Sequence, residues 1–423
     1  MSTVYIKKDN IKGTISAPSS KSFVQRCLVM AALVKEGESI IHNVNICDDV
    51  IAMINSLSEM GAEIHVTDLK NGSKIVIKKG IDITLENVIV NVSSSATTLR
   101  LLMAVATLFH SPVTFVMNND LYHRTNDFYD DLFKGSIIKL KNKYIVNAHL
   151  RAHAYDINGN VSSQFISGLL LVLPLLRNDS IMHITPPIIS KSHINMVLYN
   201  LKMCGIDIES KNEGDYYIKG NQNYNAFEID CEGSYSLASN FMVAACLNGN
   251  VKIKNLLPDS MQGEKIILDI LRKVGAEVKV SNDNVEVKKN ILNPLDIDIE
   301  DCPCMAPLLI ALCSVISDIS YIRHIDIKDD KNRNRVANLI QELMKLGCYI
   351  EQEQDSLKIY GNISLEGCLN VYTHGDHRIC MALAAIAIFY KQGIYIHDVE
   401  CIDRAYPNFF DDFKKIGVKI KEV

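Results

Sequence analysis

Lys273-Val274-Gly275-Ala276-Glu277-Val278 closes one element and opens another. A glycine that stops a helix takes the left-handed conformation. The residues after it alternate apolar and polar, as a half-buried strand does. The same ending appears as Met60-Gly61-Ala62-Glu63-Ile64, and in a weaker copy as Phe133-Lys134-Gly135-Ser136-Ile137. It returns as Met203-Cys204-Gly205-Ile206-Asp207-Ile208, Lys345-Leu346-Gly347-Cys348-Tyr349-Ile350 and Lys415-Ile416-Gly417-Val418-Lys419-Ile420. The spacings between these glycines are 74, 70, 70, 72 and 70 residues.

A second marker keeps the same period. A small or polar step leads into an apolar helix at Ser20-Lys21-Ser22, Ser94-Ser95-Ala96-Thr97-Thr98 and Ser162-Ser163-Gln164-Phe165. It recurs at Ser234-Tyr235-Ser236-Leu237-Ala238, Pro303-Cys304-Met305-Ala306 and Asp376-His377-Arg378-Ile379. Two markers with one period predict an internal repeat of six units, each too long for a solenoid. Within the first unit the pattern predicts helices over 20–34 and 48–60 and strands over 39–44, 62–67, 74–78 and 88–92. Alternating strands and helices place the chain in the α/β class. Three units per lobe is the simplest division. It gives one lobe over 20–230 and another over 231–423, to which the strands in 1–19 return.

Composition narrows the function. The chain has 423 residues, is 48% apolar and carries a net charge of −5. That charge argues against general nucleic-acid binding, so an anion site must be a local cluster of cations. The apolar runs 305–316 and 379–390 are shorter than the ~18–20 residues a membrane span requires. The first residues lack a signal-peptide apolar core, so a cytoplasmic location is expected. The twelve cysteines then read as reduced thiols. Cys302-Pro303-Cys304 has no second Cys/His pair at zinc spacing, and no metal is expected there or at His374 and His377.

Pro18-Ser19-Ser20-Lys21-Ser22-Phe23-Val24-Gln25-Arg26 sets two cations at a serine-rich helix start. Free N–H groups and the helix dipole favour an anion there. Arg100, Arg335 and Arg378 stand near other helix starts, with Arg124 and Arg404 in loop-like stretches. So many cations beside capped helices suggest a doubly anionic ligand or two anionic ligands.

The whole chain resembles the 5-enolpyruvylshikimate-3-phosphate (EPSP) synthase family, a family of enolpyruvyl transferases. The resemblance rests on the stretch Pro18 to Arg26, on Ser94-Ser95-Ala96-Thr97-Thr98-Leu99-Arg100, and on Ser162-Ser163-Gln164-Phe165 with Ser190-Lys191. It rests further on Gly375-Asp376-His377-Arg378 and on Cys401-Ile402-Asp403-Arg404-Ala405-Tyr406-Pro407-Asn408-Phe409-Phe410. The resemblance implies two lobes of three βαβαββ units, a monomer, and a ligand cleft between the lobes that closes on substrate. It implies that phosphoenolpyruvate gives its enolpyruvyl group to the 5-hydroxyl of shikimate 3-phosphate and that phosphate leaves, with no metal or organic cofactor. Lys21, Ser22, Arg26, Ser162, Ser163, Gln164, Ser190, Cys304 and Lys331 would hold shikimate 3-phosphate. Lys21, Ala96, Arg124, Gln164, Arg335, Arg378 and Arg404 would hold phosphoenolpyruvate. The lobe of residues 20–230 would be the shikimate-3-phosphate side, and that of 1–19 with 231–423 the phosphoenolpyruvate side.

The departures from the family pattern fall on proton-handling positions. Among the catalytic positions Lys21, Cys304, Asn332 and Arg404, the last three depart. Cys304 replaces an aspartate that holds the reacting hydroxyl, Asn332 replaces a glutamate acid, and Arg404 replaces a lysine. Thr125, His193, Ser234 and Gly375 are smaller changes. Ala96 replaces a glycine, so it is expected to crowd glyphosate more than phosphoenolpyruvate; inhibition of Ala96→Gly checks this. Anion binding is thus kept while proton transfer is altered. One reading is a working synthase in which Lys21, Asp301 or Asp330 takes over, with Cys304→Asp expected to speed turnover. The others are an enolpyruvyl transferase with another phosphorylated acceptor and a non-catalytic metabolite-binding relative.

Overall fold

The structure is a computed structural model that describes residues 2–7, 9–69, 72–123, 128–325, 330–361 and 369–423, the side chains of 330–333 excepted. The chain forms two compact units: Lys21–Cys231, and Met1–Ser20 together with Glu232–Val423.

In the unit Lys21–Cys231, three apolar helices pack side by side: α1 (Lys21–Ala32), α2 (Ala96–Ala106) and α3 (Ser163–Val172). They are buried on nearly every side, which is why their sequences lack a polar face. Three four-stranded sheets surround them. One has the order Ile89–Ser93, Val113–Met117, Lys143–Val146, Ile137–Leu140. Its first pair is parallel and the other two are antiparallel. A parallel pair needs a crossover, and α2 is that crossover. The sheet beside α3 repeats the pattern with Ala154–Asn158, Ser180–Thr185, Asp215–Ile218 and Ile208–Asn212.

The other unit is built alike around α4 (Tyr235–Asn248), α5 (Ala306–Ser314) and α6 (His377–Ala387), with three further four-stranded sheets. On α4, the Phe241 ring meets those of Phe409 and Phe413 at 5.3 and 4.8 Å, fastening the outer helix Phe409–Lys415 to the core. The N-terminal strands belong here. Thr3–Ile6 lies between Ile394–His397 and Ile420–Glu422, and Ile11–Ser16 runs parallel to Gly249–Lys254. The strand before α1 is therefore lost to its own unit, and Glu228–Asp230 fills the place by pairing parallel to Ser39–Val44.

The six repeat glycines have φ of +98, +81, +80, +104, +89 and +96° in chain order. Only glycine adopts that region without strain. At Gly275 a Cβ would also stand 2.3 Å from the Ile291 carbonyl oxygen. At Gly135 nothing lies within 4 Å, so only the backbone angle asks for glycine.

Four of the six predicted helix starts are capped by the expected side chain, namely Ser95, Ser162, Ser234 and Asp376. The fifth differs. Pro303–Met305 forms a 3-10 turn that leads into α5 without a side-chain cap, because proline presets the first turn. Among the described residues no disulfide forms, and no helix is long and apolar enough to cross a membrane.

Candidate active site

The starts of α1, α2 and α3 are tied together by side chains. Gln25 Nε2 donates to Ser95 Oγ at 3.4 Å, Thr98 Oγ1 at 3.2 Å and the Asp49 carbonyl at 3.2 Å. Gln164 Nε2 donates to Thr97 Oγ1 at 2.7 Å. Arg100 donates to Gln164 Oε1 at 3.0 Å and Ser162 Oγ at 3.3 Å, and its guanidinium lies 4.8 Å from the Phe165 ring centre. Three helix N-termini are thus gathered at one end of this unit. Their partial positive charges add to those of Lys21, Arg26 and Arg100.

Arg26 is the least expected member. It is 1% exposed, and among the described residues no carboxylate pairs with it. One terminal nitrogen donates to the Ser22 carbonyl at 2.9 Å, the other to Ser167 Oγ at 3.1 Å, and Nε has no partner. Burial lowers its pKa to about 10. A buried, unpaired cation is costly, and an anionic ligand offsets the cost. Lys21 is held differently, with Nζ 2.5 Å from Asp49 Oδ2.

Ser163 is buried at the first position of α3, and its carbonyl accepts from Ser167 Oγ at 2.7 Å. Ala96 is the first residue of α2, directly after the Ser95 cap. Ser190 stands apart from this network, in a left-handed conformation at the start of helix Lys191–Met203. That helix packs on α1 and α3. Arg124 lies outside the described residues, as do the side chains of Lys331 and Asn332.

In the other unit Arg378 joins α4, α5 and α6. It donates to Ser236 Oγ at 3.0 Å and to the Cys304 carbonyl at 2.9 Å. Asp376 caps α6, its Oδ1 accepting from the Arg378 N–H at 2.8 Å. Its Oδ2 accepts from Arg335 Nε at 2.8 Å, with the two side chains 7% and 16% exposed. Arg335 and Arg378 therefore flank one carboxylate. Arg404 is half-buried at the end of the 3-10 helix Val399–Arg404, which packs on α6. The Cys304 thiol donates to Glu264 Oε1 at 3.1 Å. Burial, followed by the charge of Glu264, holds that thiol protonated well above its usual pKa.

Residues 6–413 match the family described as EPSP synthase (3-phosphoshikimate 1-carboxyvinyltransferase). The chain belongs to the EPSP synthase family. It is 34% identical to the 3-phosphoshikimate 1-carboxyvinyltransferase of Clostridium novyi (strain NT), over 100% of this chain and 99% of the relative. It is 35% identical to the protein of that name from Clostridium botulinum (strain Eklund 17B / Type B), with the same coverage. The EPSP synthase structure from Acinetobacter baumannii superposes with a TM-score of 0.82 at 18% identity, covering 100% of both chains. That likeness shows a shared fold.

Three residues that contact the candidate site residues are not singled out by sequence reasoning. Gln25 lies within the quoted stretch Pro18 to Arg26 but is given no role there, and Asp49 and Glu264 carry no motif signal; each becomes relevant through a contact with a distant residue. Asp301, one of the carboxylates expected to stand in at Cys304, is exposed, and the carboxylate that meets the Cys304 thiol is that of Glu264.

Proposed function

We propose that this chain transfers the enolpyruvyl group of phosphoenolpyruvate to the 5-hydroxyl of shikimate 3-phosphate and releases phosphate. The observation that carries the reading is the family match across both units, at 31–35% identity to enzymes of that name. The geometry supports it, since each unit gathers three helix starts around cations and so suits an anion. Shikimate 3-phosphate is assigned to Lys21, Ser22, Arg26, Ser162, Ser163, Gln164 and Ser190, with Cys304 and Lys331. Phosphoenolpyruvate is assigned to Lys21, Ala96, Arg124, Gln164, Arg335, Arg378 and Arg404. Lys21, Cys304, Asn332 and Arg404 are the catalytic set. The protein is assigned to the cytoplasm, as a monomer.

In the addition step the enol methylene takes a proton, for which the Lys21 ammonium is the proposed donor, as the hydroxyl attacks C2. The guanidinium groups stabilise charge on the carboxylate and the phosphate, and removal of the hydroxyl proton completes the addition; the tetrahedral intermediate then loses phosphate as its C2–O bond breaks and the new methyl group gives up a proton, restoring the enol double bond.

Phosphate release by the pure protein, with each substrate omitted in turn, tests the function. Turnover that needs both substrates is expected. Binding of shikimate 3-phosphate without turnover points to a non-catalytic relative. Neither binding nor turnover points to another phosphorylated acceptor.

A further inference from the structure

The buried carboxylate behind Cys304 has no place in the residue roles given above. Glu264 is 7% exposed and lies forty residues before Cys304, in the 3-10 turn Gly263–Ile266. The turn is pinned by its neighbour. Gln262 Oε1 accepts from the Tyr235 N–H at 3.0 Å, and Gln262 Nε2 donates to the Gly233 carbonyl at 2.8 Å. The carboxylate is thereby fixed against the start of α4 and aimed at the sulfur. A cavity adjoins Cys304 on the side of Ser236, Asn240, Arg378 and Met381. The buried carboxylate, the thiol and the cavity stand in line.

We propose that Glu264 is the final acceptor of the hydroxyl proton in the addition step and acts through Cys304. Cys304 is the catalytic residue that meets the hydroxyl. As the substrate oxygen forms its bond to C2, its O–H bond breaks and the proton passes to Cys304 Sγ. The proton already on Sγ moves to Glu264 Oε1, which ends as a neutral carboxylic acid. The thiol is regenerated, no electrons are transferred, and no free thiolate accumulates. The inference rests on the enolpyruvyl-transfer reading. It also reverses the expectation for Cys304→Asp. With Glu264 Oε1 3.1 Å from Sγ, an aspartate at 304 would place two carboxylates together, and one would hold a proton.

The test compares four variants in the phosphate-release assay. Glu264→Gln is expected to lower kcat about a hundredfold, the range of a lost proton acceptor, with both KM values within about threefold. If the native kcat–pH profile falls on its acid side as Glu264 takes up a proton, Glu264→Gln should lose that fall. Cys304→Ala should match it, whereas Cys304→Ser, whose hydroxyl also relays a proton, should keep about a tenth of the rate or more. The double variant Cys304→Asp/Glu264→Gln should recover most of the rate lost in Glu264→Gln, because one carboxylate then stands at the sulfur position. A merely structural Glu264 would give no such recovery and an unchanged pH profile. A Glu264→Gln kcat within about threefold of native at every pH overturns the relay while leaving the transferase reading intact. No turnover by the native chain overturns that reading, and the relay falls with it.

Discussion

Arg26→Met is expected to weaken shikimate 3-phosphate binding by about a hundredfold or more, while the melting temperature stays level or rises. Truncating one partner of a buried charge pair commonly costs about 2–5 kcal/mol of binding. The stability half of the prediction follows from the sign of the pKa shift. Burial lowers the Arg26 pKa from its ordinary value to about 10, so the fold disfavours the charged form. That penalty is fully present below about pH 10 and fades as pH rises toward 12.5. At neutral pH it is on the order of 3 kcal/mol. Methionine removes the penalty and keeps most of the volume. It gives up the bonds to the Ser22 carbonyl and Ser167 Oγ, each worth about 1 kcal/mol. Calorimetric titration with shikimate 3-phosphate and a thermal melt read both halves. A variant that melts well below the native chain yet binds normally would make Arg26 a structural residue.

The second large effect is on stability. Asp376→Ala removes the α6 cap, at about 1 kcal/mol, and the carboxylate that holds Arg335 Nε. Breaking a buried ion pair from one side costs up to about 3–5 kcal/mol, and the further interaction of Arg335 sets the loss toward the lower end. The urea midpoint followed by circular dichroism should fall accordingly. Asp376→Asn, which can still cap the helix, should fall less. Arg335→Leu/Asp376→Ala should recover part of the lost stability, with a coupling of about 1–3 kcal/mol, and remain inactive. Strictly additive losses would mean that the pair is not the source of the effect.

Glu264 and Cys304 together alter how the departures from the family pattern are understood. In the sequence, Cys304 looks like a lost carboxylate. In the structure, a carboxylate is present one side chain further back, reaching the sulfur from a turn forty residues away. On the proposed relay, the chain keeps a proton acceptor behind this position and reaches it through the thiol.

The sequence by itself determined the six-unit repeat and the family. Left-handed helix stops require glycine, and helix starts favour small polar caps, so both devices leave letters at a fixed period. The same letters placed Ser162, Gln164 and Arg378 at helix starts. Tertiary structure alone decided which strands complete which sheets. That Ile11–Ser16 pairs with Gly249–Lys254, and Glu228–Asp230 with Ser39–Val44 rather than with the strand after α4, came from the fold. It also decided that Lys21 meets Asp49, that Arg26 is buried without a carboxylate, and that Glu264 faces Cys304. The physical reason is the same in each case. Periodicity and capping are local backbone chemistry, whereas burial and ion pairing arise from surfaces brought together across dozens of residues, and no local pattern records them.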